Sequence, residues 1–116
     1  MTTIGIETRR FNGLPIVALA GELDLSQVGL VEQALRGAER SKPETLVLDL
    51  SGVTFLDSSG LRLVLEADRR ARVEGRRLTV VPGPEAVHRV FLIALLDKRL
   101  EFIDDPTSLG GGDEDA

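Results

Sequence analysis

The sequence predicts an α/β fold, a small mixed β-sheet packed with helices in a single domain, and three features carry that prediction. Leu46, Val47, Leu48 and Leu50 form a short apolar run, the pattern of a strand buried on both faces. That run feeds an amphipathic helical stretch and then a second short strand at 78–81, a βαβ unit with parallel pairing and a right-handed connection. Ahead of it, two strand-like segments flank Asn12-Gly13, a hairpin signal because both residues tolerate positive φ. An antiparallel hairpin beside a parallel unit makes the sheet mixed.

Taken in order, residues 4–8 alternate Ile4 and Ile6 with small or polar residues, the period of a strand with one wet face. Residues 14–20 read as the second strand. Pro15 near its start lacks a ladder N–H and suits an edge or a first position. Residues 25–40 read as a helix with Val28, Val31, Ala34, Leu35 and Ala38 in one apolar stripe. Asp24 with Gln27 fits a capping box, and Ser26 is the other candidate cap. Ser41-Lys42-Pro43 ends that helix, since a residue before Pro avoids the α region.

After the central strand, residues 51–56 read as a loop, and a helix follows over about 59–74. Its inward residues are Leu61, Val64, Leu65 and Ala71. Arg62, Glu66, Arg69 and Arg70 face out, with Glu66 and Arg70 as a favourable i,i+4 pair. Gly75 fits a left-handed stop. Pro82-Gly83-Pro84 turns the chain and sets Pro84 at the first position of a third helix, with Val87, Val90, Phe91, Ala94 and Leu95 inward. Residues 100–103 form a last strand. The domain is assigned to 1–104. Residues 105–116, glycine-rich and acidic, bury too little to order themselves and read as a disordered tail.

Composition narrows the function. A chain of 116 residues is one domain and buries about two thirds of its unfolded surface, so it needs no metal or disulfide staple. The absence of Cys excludes disulfides, thiolate metal sites and cysteine catalysis together. No run approaches the roughly 18 apolar residues of a membrane span, and the first residues lack a secretory signal. The expected setting is cytoplasmic, with no membrane partner. The net charge of −5 belongs to the tail: five acidic residues follow position 103, and residues 1–103 hold 14 acidic and 14 basic side chains. A neutral body without Tyr or Trp argues against nucleic-acid binding, where Lys and Arg contacts to phosphate supply most of the affinity.

The chemistry concentrates at Asp57-Ser58-Ser59-Gly60, two hydroxyls and a carboxylate where a strand feeds a helix. Asp and Ser accept hydrogen bonds from the open N–H groups of a first helical turn. Gly60 admits another backbone, or a partner, at close range. Local pattern reads one of the serines as the helix cap, and the physics of the position is permissive for an anion, which would meet open N–H groups and the positive end of the dipole. Local pattern does not separate Ser58 from Ser59. Asp57 reads as a capping or turn carboxylate, or as a fixed negative charge that would repel a further anion placed beside it. Asp24 reads as a cap.

A serine hydrolase fails on its parts. The nucleophile elbow needs Gly-x-Ser-x-Gly, which Leu56 and Gly60 half supply around Ser58. The only base, His88, sits on a helix with no orienting carboxylate and reads as a surface or packing residue. No phosphate-binding Gly-x-x-x-x-Gly-Lys loop exists. The arginines at 69, 70, 72, 76 and 77 read as a solvated helix face. No catalytic residue, metal ligand or cofactor is expected.

Leu56-Asp57-Ser58-Ser59-Gly60-Leu61 behind an apolar strand, together with Gly21-Glu22-Leu23-Asp24 at the end of an early one, resembles the STAS domain family, in particular the bacterial anti-sigma factor antagonists. The resemblance covers roughly residues 4–104. It implies that Ser58 is the phosphorylation site and that Asp24, Asp57, Ser58, Ser59 and Gly60 lie on a partner-binding edge. It implies a partner as well, an anti-sigma factor with ATP-dependent serine kinase activity, bound by the unmodified protein and released on phosphorylation. The sigma factor is freed for transcription while the pair is docked, and a separate serine phosphatase resets the switch. ATP and magnesium belong to the kinase. The alternative implied by the family is a STAS adaptor or scaffold module in a stress-signalling or transporter-associated complex. Ala20 stands where many relatives carry a hydroxyl residue.

Overall fold

The chain runs β1 (Gly5–Phe11), β2 (Leu14–Leu23), α1 (Val28–Glu39), β3 (Thr45–Leu56), α2 (Ser58–Val73), β4 (Arg77–Val81), α3 (Glu85–Ile93) and β5 (Glu101–Phe102) in a computed structural model that describes residues 3–106. The strands lie side by side in the order β1-β2-β3-β4-β5. β1 pairs with β2 antiparallel, and every other pairing is parallel, so the sheet is mixed. Asn12 and Gly13 make the hairpin turn, both with positive φ, at 53° and 82°. The expected tail begins at the last described residues, and positions 107–116 lie outside them.

One face of the sheet carries the main core. Val17, Leu19, Leu48, Leu50 and Val80 meet Val31 and Leu35 of α1, Val64 and Ala67 of α2, and Val87 and Phe91 of α3. Ile16, Val47 and Val81 form a smaller cluster with no helical residue in it. β3 is therefore buried on both faces, as its unbroken apolar run requires.

Four expectations need correction. β3 does not stop at Leu50; residues 51–56 continue it, because the end of β2 runs on to Leu23 and offers a ladder to pair with. Gly21 faces Val53 and Leu23 faces Leu56, with irregularities between Ala18 and Ala20 and between Gly21 and Glu22. Gly52 is required inside the strand, since a Cβ there would lie 2.9 Å from the Leu19 carbonyl oxygen. Second, α1 starts at Val28 with no side-chain cap. The carbonyl of Asp24 accepts the N–H groups of Gln27 (2.9 Å) and Val28 (3.1 Å), and Gln27 Oε1 instead accepts the buried Ile4 N–H at 3.0 Å.

Third, α3 ends at Ile93, so Ala94 and Leu95 do not face inward. The Leu96 N–H donates to the Phe91 carbonyl at 2.9 Å, a Schellman-type closure with Leu95 at φ 60° as its left-handed residue. Leu95 is 81% exposed, and Leu96 packs on the core instead. Fourth, the arginines are only partly a solvated helix face: Arg69 and Arg72 of α2 are exposed, whereas Arg70 is largely buried and Arg76 and Arg77 lie beyond the end of α2. Arg69 pairs with Glu66 at 3.4 Å and Arg72 with Asp68 at 2.7 Å. Arg76 pairs with Glu74 at 2.6 Å, and Arg77 pairs with Glu101 across β4 and β5. The hydrogen bond from Arg77 holds the Glu101 carboxyl below its ordinary range.

Arg70 departs furthest from expectation. It does not pair with Glu66 but crosses to α1, where Nε and Nη2 hold both oxygens of Glu39 (3.1 and 2.9 Å) and Nη1 reaches Glu32 at 3.1 Å. The Glu39 hydrogen bond holds the guanidinium above its ordinary pKa. This clamp fixes the spacing of α1 and α2. Within α2, Leu63, Val64, Ala67 and Ala71 are the buried face, with Leu61 and Leu65 half-buried beside them.

Candidate functional site at the ends of β2 and β3

β2 and β3 run parallel and finish level, Leu23 opposite Leu56, so the turns that follow them start side by side. This brings Asp24 and Asp57 to one edge of the sheet. The Asp57 N–H donates to the Leu23 carbonyl at 3.4 Å. The Asp57 carboxylate then does two jobs. Its Oδ1 accepts the N–H groups of Ser59 (2.9 Å) and Gly60 (3.1 Å), capping α2, and its Oδ2 accepts the Leu25 N–H at 3.3 Å, tying the two turns together. Asp24 holds its own turn: Oδ1 accepts the Ser26 N–H at 3.1 Å and the Ser26 hydroxyl at 2.7 Å.

The cap is thus Asp57 and neither serine. Asp57 already occupies the N–H groups of Ser59 and Gly60, two of the first-turn donors that the sequence left open. Its main-chain carbonyl accepts the next one, from Leu61, at 3.0 Å. Ser58, the first residue of α2, is exposed, while Ser59 is half-buried and Gly60 is buried. Exposure separates the two hydroxyls where local sequence pattern did not.

Gly60 has a packing reason to be glycine. A Cβ there would sit 2.8 Å from the Leu23 carbonyl oxygen and 2.9 Å from both Leu23 Cγ and Leu56 Cδ1. The helix starts flush against the ends of both strands only without that carbon. Gly60→Ala gains about 1 kcal/mol of helix propensity but forces backbone apart, which costs about 1–3 kcal/mol. It is expected to lower stability by about 1 kcal/mol in urea unfolding; an unchanged or higher midpoint would contradict the close approach.

A groove of about 540 Å³ opens from this edge between α1 and α2. Leu25, Val28 and Gly29 form one wall, Ser58, Ser59 and Arg62 the other, and the Arg70–Glu32 pair lies further along it. Leu25 is 72% exposed although apolar. Sequence reasoning missed Leu25 and the position of Arg62 in the groove. The available signals were an apolar residue standing off the α1 stripe and an arginine one helical turn beyond Ser58. His88 is elsewhere, packed edge-on against Phe102 with ring centroids 4.7 Å apart, a packing role as expected. Among the described residues no group of three or more His, Asp or Glu is arranged to hold a metal, and no helix is long and apolar enough to cross a membrane.

Residues 8–104 match the family described as "Mlab, STAS domain". The chain belongs to the STAS domain family. This STAS domain is 29% identical over 114 residues to the anti-sigma-F factor antagonist RsfB of Mycobacterium tuberculosis, covering 95% of this chain and 93% of that protein. It is 32% identical over 101 residues to an anti-sigma F factor antagonist of Paenibacillus polymyxa, covering 86% of each. A crystal structure of an anti-sigma factor antagonist from Mycobacterium paratuberculosis superposes with a TM-score of 0.82 at 27% identity, over 91% of this chain and 90% of that one.

Proposed function

We propose that this STAS domain is an anti-sigma factor antagonist. Its unmodified Ser58 edge docks on an anti-sigma factor, and phosphorylation of Ser58 by that partner releases it. The observation that carries the reading is the exposed Ser58 hydroxyl at the mouth of α2, on the edge that Asp24 and Asp57 share. The names of the relatives in Mycobacterium and Paenibacillus support the identity of the partner.

The switch follows from charge. The Ser58 hydroxyl attacks the γ-phosphorus of ATP, loses its proton to the kinase's base and leaves ADP as the product. ATP, magnesium and base all belong to the kinase. The phosphate adds about −1.5 to −2 charge at neutral pH, beside an Asp57 carboxylate that already occupies the helix mouth. Desolvating that charge in a docked interface without a partner costs several kcal/mol, and each 1.4 kcal/mol is tenfold in affinity. A serine phosphatase then hydrolyses the phosphoester and restores the docking surface. Asp24 and the Leu25 wall of the groove contribute partner contacts. Gly60 acts by letting the helix sit close, and the setting is the cytoplasm.

The test is intact mass after incubation with the anti-sigma factor kinase and ATP. One added phosphate, mapped to Ser58 by fragmentation, is expected. No addition, or a phosphate on Ser59 instead, overturns the reading.

A further inference from the structure

We infer that Arg62 captures the phosphate of phosphorylated Ser58 within the same molecule, an inference that rests on Ser58 being the modified residue. Ser58 opens α2 and Arg62 follows one turn later, so the two are i,i+4 neighbours with Cβ atoms about 5–6 Å apart. Both line the groove between α1 and α2. The order, anion toward the helix N-terminus and cation one turn on, is the favourable orientation for such a pair.

Two further observations single out Arg62. Among the described residues it makes no hydrogen bond or ion pair. The other arginines of α2 are committed: Arg69 to Glu66, Arg70 to Glu39 and Glu32, Arg72 to Asp68. Glu66, one turn beyond Arg62 and its natural competitor, is taken by Arg69. The second observation is the cap. Because Asp57 holds the N–H groups of Ser59 and Gly60, a phosphate on Ser58 finds those backbone donors occupied. The planar guanidinium of Arg62 supplies two parallel N–H donors suited to phosphate oxygens. Phosphorylation then does two things at once: it adds an anion to the edge, and it withdraws from the groove wall a cation that the unmodified protein offers to its partner.

The experiment uses the full chain with phosphoserine installed at position 58 by genetic encoding, so that no kinase is needed. The second ionisation of the phosphate is followed by ³¹P NMR as a function of pH in wild type, Arg62→Gln and Arg62→Lys. The wild-type phosphate is expected to ionise roughly 0.15–0.4 of a pH unit below that of Arg62→Gln, with Arg62→Lys between them. High salt is expected to shrink the difference. Superimposable titrations of wild type and Arg62→Gln at low salt would overturn the inference. Failure of the kinase to modify Ser58 would instead overturn the proposed function and leave this titration as it stands.

Discussion

Ser58→Asp is expected to bind the anti-sigma factor about 100-fold more weakly than the unmodified protein, close to 3 kcal/mol. The carboxylate projects from the first position of α2 beside Asp57, whose own charge is committed to capping the helix and to the Leu25 N–H. Neither group relieves the other, and docking strips water from both. Ser58→Ala removes only an exposed hydroxyl and is expected to bind like wild type. Isothermal titration of both variants against the purified partner checks this, with thermal midpoints within about 2 °C of wild type as evidence of intact folding. Equal affinity for the two variants would remove the switch.

Arg70→Met is expected to cost about 2–3 kcal/mol, the largest stability effect among the surface charges. Arg70 is 14% exposed and Glu39 12%, so removing the guanidinium leaves a largely desolvated carboxylate without its bidentate donor. Most other pairs of the domain have a partner more than a third exposed, and such pairs contribute about 0–1 kcal/mol. At this chain length the loss lowers the thermal midpoint by roughly 10 °C. Arg70→Met combined with Glu39→Met is expected to recover part of it, since an apolar pair of similar volume replaces the buried charges. A double variant no more stable than Arg70→Met would show that the clamp stabilises by some other route.

What the sequence made legible is local in origin. Asn12-Gly13 announced its turn, the apolar run 46–50 announced a doubly buried strand, and Asp57-Ser58-Ser59-Gly60 marked a helix start, each from residues within one turn or strand. The extension of β3 was hidden because Ser51, Gly52 and Thr54 break the apolar pattern, and it exists only because β2 continues beside it. The Arg70 clamp joins residues 31 and 38 positions apart, and i,i+4 reasoning offered Glu66 instead. Leu95 followed the helical period on paper, yet the helix ends two residues earlier, at Ile93, and turns it out to solvent. Of the site, the motif identified the edge. The choice of Asp57 as cap, the close approach at Gly60 and the groove itself required two strands and two helices to be brought together.

The most direct measurement is the affinity of the anti-sigma factor for the wild-type chain before and after stoichiometric phosphorylation of Ser58, in the same buffer by the same titration. A fall of about 100-fold or more on phosphorylation is the predicted result. Equal affinity for the two forms would contradict the proposal that charge at this hydroxyl decides docking.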